Sequence, residues 1–401
     1  MWLTKSRLLL FVFSLAAASP APCNFSAPAV WAVYDVIVVG GGPSGIAALS
    51  ALARVGRRAL MLDSAEYRNA RTRRMHDVPG SDGVTPSYFR WAAMQQIRRY
   101  GTVQGTNGTV VEIRSSADDE FFTADVRLFN NTCASYTARK IILGTGLRDL
   151  LPQTPGLEEN FGKGIYWCPW CDGMEHAGQP MGILGSFEQA VGAVGEVRTL
   201  HSDIIVFANG TDTPENRARA DKTFAPNSSA YLQKLKVKVD NRTITGITRL
   251  RDGADAHADP KLPSNPEHDL FDVELAGSSG VERVQRAVLF ANYPSGQRST
   301  LGKNTGVELR SDRMAVDSNM RTRVPGIYAV GDANSDGSTN VLHALYTGKR
   351  AVVDIHVELE KQVSKDLVAR ASKGDDEEAL RRLWTRVNGE PGDLLYAGEY
   401  R

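Results

Sequence analysis

The chain lacks the features that would direct it to nucleic acid, to a bilayer or to a resident metal. Its formal net charge is only +1 over 401 residues, so no strong field attracts nucleic acid or an anionic membrane surface. A zinc site built on a C-x-x-C would need two more ligands, but the sequence has no second C-x-x-C and no suitably spaced histidine pair. We therefore expect neither nucleic acid, nor a membrane, nor a metal as partner.

Long apolar runs are also scarce, and the longest lies at the N-terminus. Lys5 and Arg7 precede the apolar stretch Leu8–Ala18, which ends in three alanines. A membrane anchor would need about 20 apolar residues, so a signal peptide cleaved after Ala18 is the better interpretation. Six N-x-[ST] sequons accompany it, at Asn24, Asn107, Asn130, Asn209, Asn227 and Asn241. The sequence thus predicts a secreted glycoprotein.

Only four cysteines are present, and two of them are isolated. Cys23 and Cys133 would form a structural disulfide in an oxidising compartment, or remain two buried or free thiols. Sequence cannot show their proximity, so both alternatives stay open. The other two cysteines, Cys168 and Cys171, form a C-x-x-C pair.

The length and composition indicate a globular enzyme of two domains. A chain of 401 residues is too long for one compact core, and its 42% hydrophobic and 23% charged residues are ordinary values. Near the start, an apolar strand (34–40), a helix (46–55) and a second strand (58–63) form a unit of about 30 residues. Such a unit predicts a parallel α/β sheet.

The turn of this unit carries a dinucleotide-binding pattern, G-x-G-x-x-G. Gly40 permits a tight turn, Gly42 allows the backbone to approach a pyrophosphate, and Gly45 allows the helix to lie close to the sheet. Pro43 and Ser44 complete the turn, which places the pyrophosphate at a helix N-terminus. Asp63, 23 positions after Gly40, ends the second strand where an acidic residue holds ribose hydroxyls.

A second strand–turn–helix begins at Met181, and later strands at 287–291 and 326–330 return the chain to the first unit. The sequence therefore predicts two Rossmann-like three-layer domains, with one inserted in the other. We place the first part of the outer domain at 34–153, the insert with the C-x-x-C at 154–290, the second part at 291–362 and a C-terminal tail at 363–401.

These motifs resemble those of the thioredoxin reductase family of low-molecular-weight flavoproteins. The resemblance spans about 34–359 and includes Val324–Asp332, a strand that ends in Gly331-Asp332. It implies FAD as cofactor, a discontinuous FAD domain, a degenerate NADPH-type insert and a homodimer. By the same resemblance, the flavin would contact a further set of residues: Arg68, His76, Thr145, Gly331, Asp332, Asn340 and Val341.

The C-x-x-C is favoured as a redox pair over a structural disulfide or half of a zinc site. Two intervening residues permit a small reducible ring and a lowered thiol pKa. By resemblance, Cys168 exchanges with substrate and Cys171 faces the flavin. Asp172 matches the family's acidic proton carrier, although a helix N-cap is an equal alternative. His343 is a candidate base for a substrate thiol, with a surface or packing role as the alternative.

The insert lacks what an NADPH site needs. Its turn, Gly185–Ala190, has Phe187 where G-x-G-x-x-A has its second glycine, and we expect both the phenylalanine ring and the Glu188 charge to oppose a bound dinucleotide. No arginine follows the strand at 203–207, and Asn209 there is itself a sequon. NADPH is also scarce outside the cell. Dioxygen is then the simplest electron acceptor, as in the fungal dithiol oxidases of the gliotoxin type, which this chain resembles in fold and C-x-x-C. The signal and Asp172 depart from that group.

Three functions follow for testing. The first is a thiol oxidase that acts on a small-molecule or peptide dithiol and passes electrons to FAD and dioxygen. The second is a divergent NADPH-dependent disulfide reductase. The third is a flavin-loaded redox chaperone that binds cysteine-rich partners without turnover of its own.

Overall fold

The structure is a computed structural model that describes residues 23, 25, 33–117, 120–224, 227–254, 264–371, 381–382 and 384–385. The predicted signal peptide, the sequon at Asn24 and most of the predicted tail lie outside these residues. None of the described helices is long and apolar enough to cross a membrane.

The first part of the chain forms most of one lobe, which we call the flavin lobe. Its apolar, β-branched runs are strands, and Pro86 begins a helix that Thr85 caps by accepting a hydrogen bond from the Tyr88 amide. The elements are β1 Val33–Val39, α1 Pro43–Arg54, β2 Ala59–Asp63, α2 Pro86–Ile97, β3 Val103–Ser115, β4 Phe122–Leu128, β5 Cys133–Leu143 and β6 Leu147–Asp149.

The middle of the chain forms the inserted lobe. It contains α3 Leu157–Asn160, β7 Ile165–Tyr166, α4 Pro169–Asp172, β8 Met181–Gly185, α5 Phe187–Val197, β9 Ile204–Phe207, α6 Pro214–Thr223, α7 Ser228–Lys234, β10 Lys238–Asp240, β11 Ile244–Arg251, β12 Leu270–Gly277, β13 Gly280–Arg286 and β14 Val288–Asn292. A 3₁₀ turn, Met174–His176, directly follows α4.

The last part returns to the flavin lobe. Its elements are β15 Ser295–Gln297, α8 Leu301–Asn304, β16 Leu309–Arg310, β17 Arg313–Met314, β18 Ile327–Ala329 and α9 Val341–Ala371, with a 3₁₀ turn at Gly331–Ala333. Two predicted boundaries shift. The boundary at 290/291 falls inside β14, and α9 continues beyond 362 because its buried face extends through Leu359 and Val363.

Each lobe has a parallel sheet at its centre. In the flavin lobe the order is β18-β5-β1-β2-β3, and β4 is antiparallel to both β3 and β5. In the inserted lobe the order β10-β9-β8-β14-β7 is parallel throughout, beside an antiparallel sheet β11-β12-β13. Apolar clusters cover both faces of both parallel sheets, as expected for strands that read as continuous apolar runs.

Short contacts join the two lobes. The chain connects the lobes twice, and the strands in these two connections, β6 and β15, pair antiparallel. From the segment between β2 and α2, Arg71 donates to the Glu158 carbonyl (2.7 Å), and Arg73 and His76 reach acidic groups of the inserted lobe. The lobes therefore meet through a hinge ribbon and through one polar segment of the flavin lobe.

The isolated cysteines are bonded to each other. Cys23 and Cys133 form a disulfide with a Cα–Cα distance of 5.7 Å, which fixes the N-terminal segment to the start of β5. This outcome selects the first of the two alternatives open from sequence.

Candidate active site

The Gly-rich turn after β1 leaves an open cradle at the N-terminus of α1. Gly40 has φ +107°, and a Cβ there would overlap the carbonyl oxygen of Gly144; a Cβ at Gly45 would overlap that of Gly40. At Gly42, by contrast, a Cβ would meet no atom within 4 Å. No side chain caps α1, so the N–H groups of its first turn remain for an anionic ligand.

Asp63 fixes this turn from the end of β2. Its Oδ1 accepts hydrogen bonds from the amides of Gly41 and Ala65, both at 3.0 Å, and its Oδ2 accepts one from the Tyr67 hydroxyl. Burial, followed by the hydrogen bond to Asp63, raises the pKa of Tyr67 far above its usual value. The tyrosine therefore remains a donor to the carboxylate that was predicted to hold the ribose.

The second half of the cradle comes from the turn after β18. The Gly331 amide donates to Thr347 Oγ1 (2.9 Å), and Asp332 pairs with Arg68 (Nη1–Oδ2 3.0 Å). Arg68 also binds Asp149 (2.6 Å), and its guanidinium lies 5.4 Å from the centre of the Trp167 ring. Arg68 thus connects the predicted ribityl ligand with the segment that carries the cysteines.

These parts enclose a cavity of about 840 Å³ between the two lobes, within the usual range for cofactor sites. It is lined by most of the predicted cofactor residues: Gly40, Gly42, Pro43, Ser44, Asp63, Arg68, His76, Thr145, Gly331, Asp332, Asn340 and Val341. Gly45 does not line it, in keeping with its packing role. The open helix end, the acidic groups and the volume together fit FAD.

The cysteine pair lies in the wall of the same cavity. Cys168 and Cys171 form a disulfide with a Cα–Cα distance of 5.3 Å, and both line the cavity. Cys168 is the N-cap of α4, and its carbonyl accepts the amide of Cys171 (3.1 Å). Trp170, between the cysteines, is 73% exposed. The sulfurs are therefore placed between a flavin-sized space and the outside.

Asp172 follows the pair and is buried at the cavity wall. Burial raises its pKa well above the usual value, and the charges of Glu175 and Glu267 raise it further, while Arg73 opposes the shift. Asp172 is the last residue of α4, so its side chain is not the N-cap that sequence left open. A buried carboxyl with a raised pKa beside sulfur is suited to hold a proton near neutral pH.

His343 does not line the cavity. Its Nε2 pairs with Asp336 Oδ2 (2.6 Å), and its amide donates to Asn340 Oδ1 (2.7 Å) at the start of α9. Among the described residues that line the cavity, His76 is the one histidine. The geometry therefore favours the packing alternative for His343.

Sequence reasoning missed a buried polar cluster that joins the lobes. Arg73 contacts Glu267, Asp269 (2.8 and 2.9 Å) and the Tyr166 hydroxyl (3.1 Å). His176 lies 3.5 Å from Asp269. These residues are far apart in sequence and carry no motif, so no local signal marks them. His176, Glu267 and Asp269 have the proximity of a metal-ligand set, but the Arg73 cation already contacts both carboxylates.

The corresponding turn of the inserted lobe is closed by its own side chains. Ser186 Oγ accepts the Gln189 amide at the start of α5, and Thr211 Oγ1 accepts the Phe187 amide (3.0 Å). The Phe187 ring is fully buried in the core, so the expectation that this ring would obstruct a dinucleotide was wrong. Two N–H groups of this helix end, those of Phe187 and Gln189, are instead bonded to Thr211 and Ser186.

A reducible disulfide in the wall of a flavin-sized cavity defines a flavin-dependent disulfide oxidoreductase. The chain belongs to the pyridine nucleotide-disulphide oxidoreductase family, which matches residues 34–348. It is an FAD-binding enzyme that acts on sulfur groups, and its fold is that of thioredoxin reductases.

Relatives of this chain carry the name thioredoxin reductase. A probable thioredoxin reductase of Arthroderma benhamiae is 40% identical and covers 94% of this chain and 98% of its own length. Thioredoxin reductase tcpT of Claviceps purpurea is 28% identical over 68% of this chain and 88% of its own. The crystal structure of HlmI superimposes with a TM-score of 0.70 at 27% identity, covering 86% of this chain and 98% of that one.

Proposed function

We propose that the protein is an FAD-dependent thiol oxidase that converts a small-molecule or peptide dithiol to a disulfide and reduces dioxygen to hydrogen peroxide. One contrast carries the proposal. The helix end at Gly42 is open toward the cavity that holds the cysteine pair, whereas the helix end at Phe187 is capped by Ser186 and Thr211. Electrons then enter through sulfur rather than through a nicotinamide.

The protein's own residues account for the thiol chemistry. A substrate thiolate attacks Cys168, the Cys168–Cys171 bond breaks, and Cys171 leaves as a thiolate. The second substrate thiol then attacks the mixed disulfide, which releases the oxidised product and leaves the pair reduced. Asp172 holds the proton that moves to and from Cys171. FAD, when bound, supplies the two-electron acceptor that restores the disulfide and passes the electrons to dioxygen.

The test separates the electron donors. Flavin-loaded protein is titrated without air, first with NADPH and then with dithiothreitol, while the visible spectrum is followed. We expect dithiothreitol to bleach the flavin and NADPH to leave it oxidised, and admission of air to yield one peroxide per dithiol. The double variant C168S/C171S is the control and stays oxidised with both. Rapid bleaching by NADPH would overturn the proposal.

The names of the relatives favour an NADPH-dependent disulfide reductase as the second candidate. That function requires the inserted lobe to hold a nucleotide despite its capped helix. It predicts that NADPH bleaches the flavin of the wild type and of C168S/C171S alike, because NADPH would reduce the flavin directly. A redox chaperone would instead form stable complexes with unfolded thiol proteins and show no multiple turnover.

Secretion and glycosylation form part of the proposal. The five sequon asparagines that the structure describes, Asn107, Asn130, Asn209, Asn227 and Asn241, are all exposed. The Cys23–Cys133 bond is typical of proteins from an oxidising compartment. We expect protein recovered from the culture medium to begin after Ala18 and to lose mass on treatment with an N-glycosidase. Retention in the cell without glycans would contradict this.

We further propose a homodimer that uses α9. Leu342, Tyr346, Val353 and Val357 are 41%, 60%, 43% and 44% exposed. At about 100° per residue they lie within an arc of about 60°. An exposed apolar stripe of this kind fits a second copy of the chain. We expect V353E to convert a dimer to a monomer in sedimentation velocity, whereas K365E, at an exposed position about 80° beyond the edge of the stripe, leaves it dimeric.

A further inference from the structure

Two buried side chains near Asp172 have polar atoms without hydrogen-bond partners among the described residues. They are Nε2 of His76, from the flavin lobe, and Oε2 of Glu175, from the inserted lobe. Buried polar atoms are normally paired. The two side chains face each other across the lobe boundary, with Nε2 of His76 3.4 Å from Oε1 of Glu175. Such unpaired groups at a site call for a functional explanation.

These side chains extend from the cysteine pair toward solvent. Asp172 and Glu175 are three residues apart on consecutive helical turns, a spacing that places side chains on the same face. On the far side, Nδ1 of His76 lies 3.3 Å from Oδ2 of Asp82, whose side chain is 37% exposed. Ser264 donates to Glu175 Oε1 (2.7 Å) and orients its carboxyl group.

The other charged groups around Asp172 already form hydrogen bonds or ion pairs with one another. Arg73, from the segment after β2, binds Glu267 and Asp269, which lie just before β12. Tyr166 of β7 donates to Glu267 (2.8 Å). His176, next to Glu175 in sequence, uses Nδ1 on the Asp172 carbonyl (3.0 Å) and Nε2 toward Asp269. Glu175 and His76 are thus the titratable groups near Asp172 with bonding capacity to spare.

We propose that Glu175 and His76 form a proton relay that connects Asp172, beside the cysteine pair, with Asp82 at the surface. The inference rests on the thiol chemistry proposed above, though not on the identity of the electron acceptor. A dithiol that becomes a disulfide loses two electrons and two protons. The electrons and one of the protons pass from the sulfur pair to the two-electron acceptor, and the other proton, held at Asp172, exchanges with solvent through Glu175 and His76.

The location of His76 makes this relay depend on the lobe arrangement. Asp172 and Glu175 belong to the inserted lobe, whereas His76 and Asp82 belong to the flavin lobe. The relay is therefore complete only while the pair faces the flavin cavity. Within it Asp172 is the proton carrier, next to Cys171 in sequence and in the wall of the same cavity, and Glu175 and His76 act through Asp172 as positioning and relay residues.

The first test measures single-turnover reduction of flavin-loaded protein by dithiothreitol without air. We expect H76Q to slow this step at least about tenfold, the lower end of acid–base effects. We also expect a larger solvent deuterium isotope effect than in the wild type and partial recovery on addition of imidazole. H268Q is the matched control, because His268 is exposed between Glu267 and Asp269, and it keeps the wild-type rate.

The second test does not depend on turnover. Reduced protein is alkylated with iodoacetamide over a range of pH. The charge of Glu175 raises the pKa of Asp172, so E175Q is expected to move the Asp172-dependent step of the alkylation profile to lower pH. D172N removes that step and thereby identifies it, and H268Q leaves it unchanged.

The outcomes separate the relay from the proposed function. If H76Q reacts at the wild-type rate in both H₂O and D₂O, the relay is overturned. A slow H76Q that imidazole does not rescue and that has an unaltered isotope effect shows a structural role, which also overturns it. If dithiothreitol fails to reduce even the wild type, the thiol oxidase proposal fails, and an E175Q alkylation profile identical to the wild type then overturns the relay separately.

Discussion

The ionised carboxyl group of Asp172 destabilises the folded protein. The proposed role of Asp172 as a proton carrier explains why such a buried carboxyl group is present. Burial and then the charges of Glu175 and Glu267 raise its pKa, so the folded state binds this proton more tightly than the unfolded chain does. The protonated carboxyl is compatible with the folded state at low pH. As the pH rises from about 4, the unfolded value, toward the folded value, the folded protein loses stability relative to the unfolded chain.

The variant D172N separates these two effects. It should slow dithiol-driven flavin reduction by about 100-fold, because a proton carrier is lost. It should also raise the free energy of unfolding, and more so at pH 8 than at pH 4, because the wild-type penalty grows over that interval. Rapid-mixing kinetics and urea denaturation at the two pH values measure both.

The control for this experiment is D366N, since Asp366 is an exposed carboxylate on α9. It should change neither the rate nor the pH dependence of stability. A D172N protein whose stability relative to the wild type is the same at both pH values would show that Asp172 titrates normally.

Among individual residues, those that belong to local motifs were predictable from the sequence. The glycines of the turn, Asp63 and Cys168 lie where their spacing predicted. It could not identify Arg73, Glu267 or Asp269, because their meeting depends on the relative placement of two lobes. His343 is close in sequence to the turn after β18, but the first turn of α9 directs it to Asp336.

At the level of elements, the two strand–turn–helix units differ in what occupies the helix N-terminus. The end of α1 has no side-chain cap, and the end of α5 has two side-chain acceptors, from Ser186 and Thr211. A helix N-terminus binds either an anion or its own cap. The same topological unit therefore serves as a cofactor cradle in one lobe and as a closed structural unit in the other.

The variant G42A tests the cradle. Gly42 has φ −70° and no neighbour within 4 Å of a built Cβ, so alanine fits the unliganded fold. The added methyl group occupies the space where the pyrophosphate approaches. We expect FAD affinity to fall at least tenfold, about 1.4 kcal/mol, by fluorescence titration, while the melting temperature of flavin-free protein stays the same.

Gly101 provides the matched control, since a Cβ there also meets no atom within 4 Å and the residue does not line the cavity. G101A should bind FAD as the wild type does. If G42A bound FAD with unchanged affinity, the pyrophosphate would have to lie elsewhere.

The long elements were predictable from sequence, and the short ones were not. Strands β1, β2, β8, β9 and β14 and helices α1 and α5 lie close to where the sequence pattern placed them. The antiparallel strands β11 and β13 show little regular alternation and are largely exposed, so their pairing with β12 is decided by tertiary contacts.

Across the whole molecule, two disulfides serve different ends. Cys23–Cys133 joins residues 110 positions apart, whereas Cys168–Cys171 joins residues three apart. Cross-linking distant residues restricts the unfolded chain far more than closing a small ring does. We therefore expect Cys23–Cys133 to contribute to stability and Cys168–Cys171 to carry the redox chemistry.

The double variant C23S/C133S should lose about 2–4 kcal/mol of unfolding free energy and keep its dithiol-dependent flavin reduction. C168S/C171S should show the reverse, with near wild-type stability and no reduction. Urea denaturation and anaerobic flavin spectra measure the two properties. A loss of flavin reduction in the first variant, with FAD still bound, would contradict the assignment.

The two lobes are held together by the buried cluster around Arg73. This arginine is the cation between Glu267 and Asp269, and Asp269 is fully buried. Although burial raises the pKa of Asp269, hydrogen bonds from His176 and Arg73 lower it below its usual value. Removal of the cation would leave two buried carboxylates close together without a counter-charge from Arg73, and at least one would take up a proton.

We therefore expect R73M to destabilise the protein by about 3–5 kcal/mol, as for other buried ion pairs that lose one partner. The loss should be smaller at pH 5 than at pH 8, because protonation of a carboxylate relieves the unpaired charge. R71M is the control: Arg71 is exposed and binds the Glu158 carbonyl, so its removal should cost at most about 1 kcal/mol. Denaturation curves at both pH values measure these changes. Equal losses of unfolding free energy in R73M and R71M would show that the cluster does not hold the lobes together.

If the cluster sets the arrangement of the lobes, R73M that remains folded should also reduce its flavin more slowly with dithiothreitol, because the cysteine pair then spends less time at the flavin cavity.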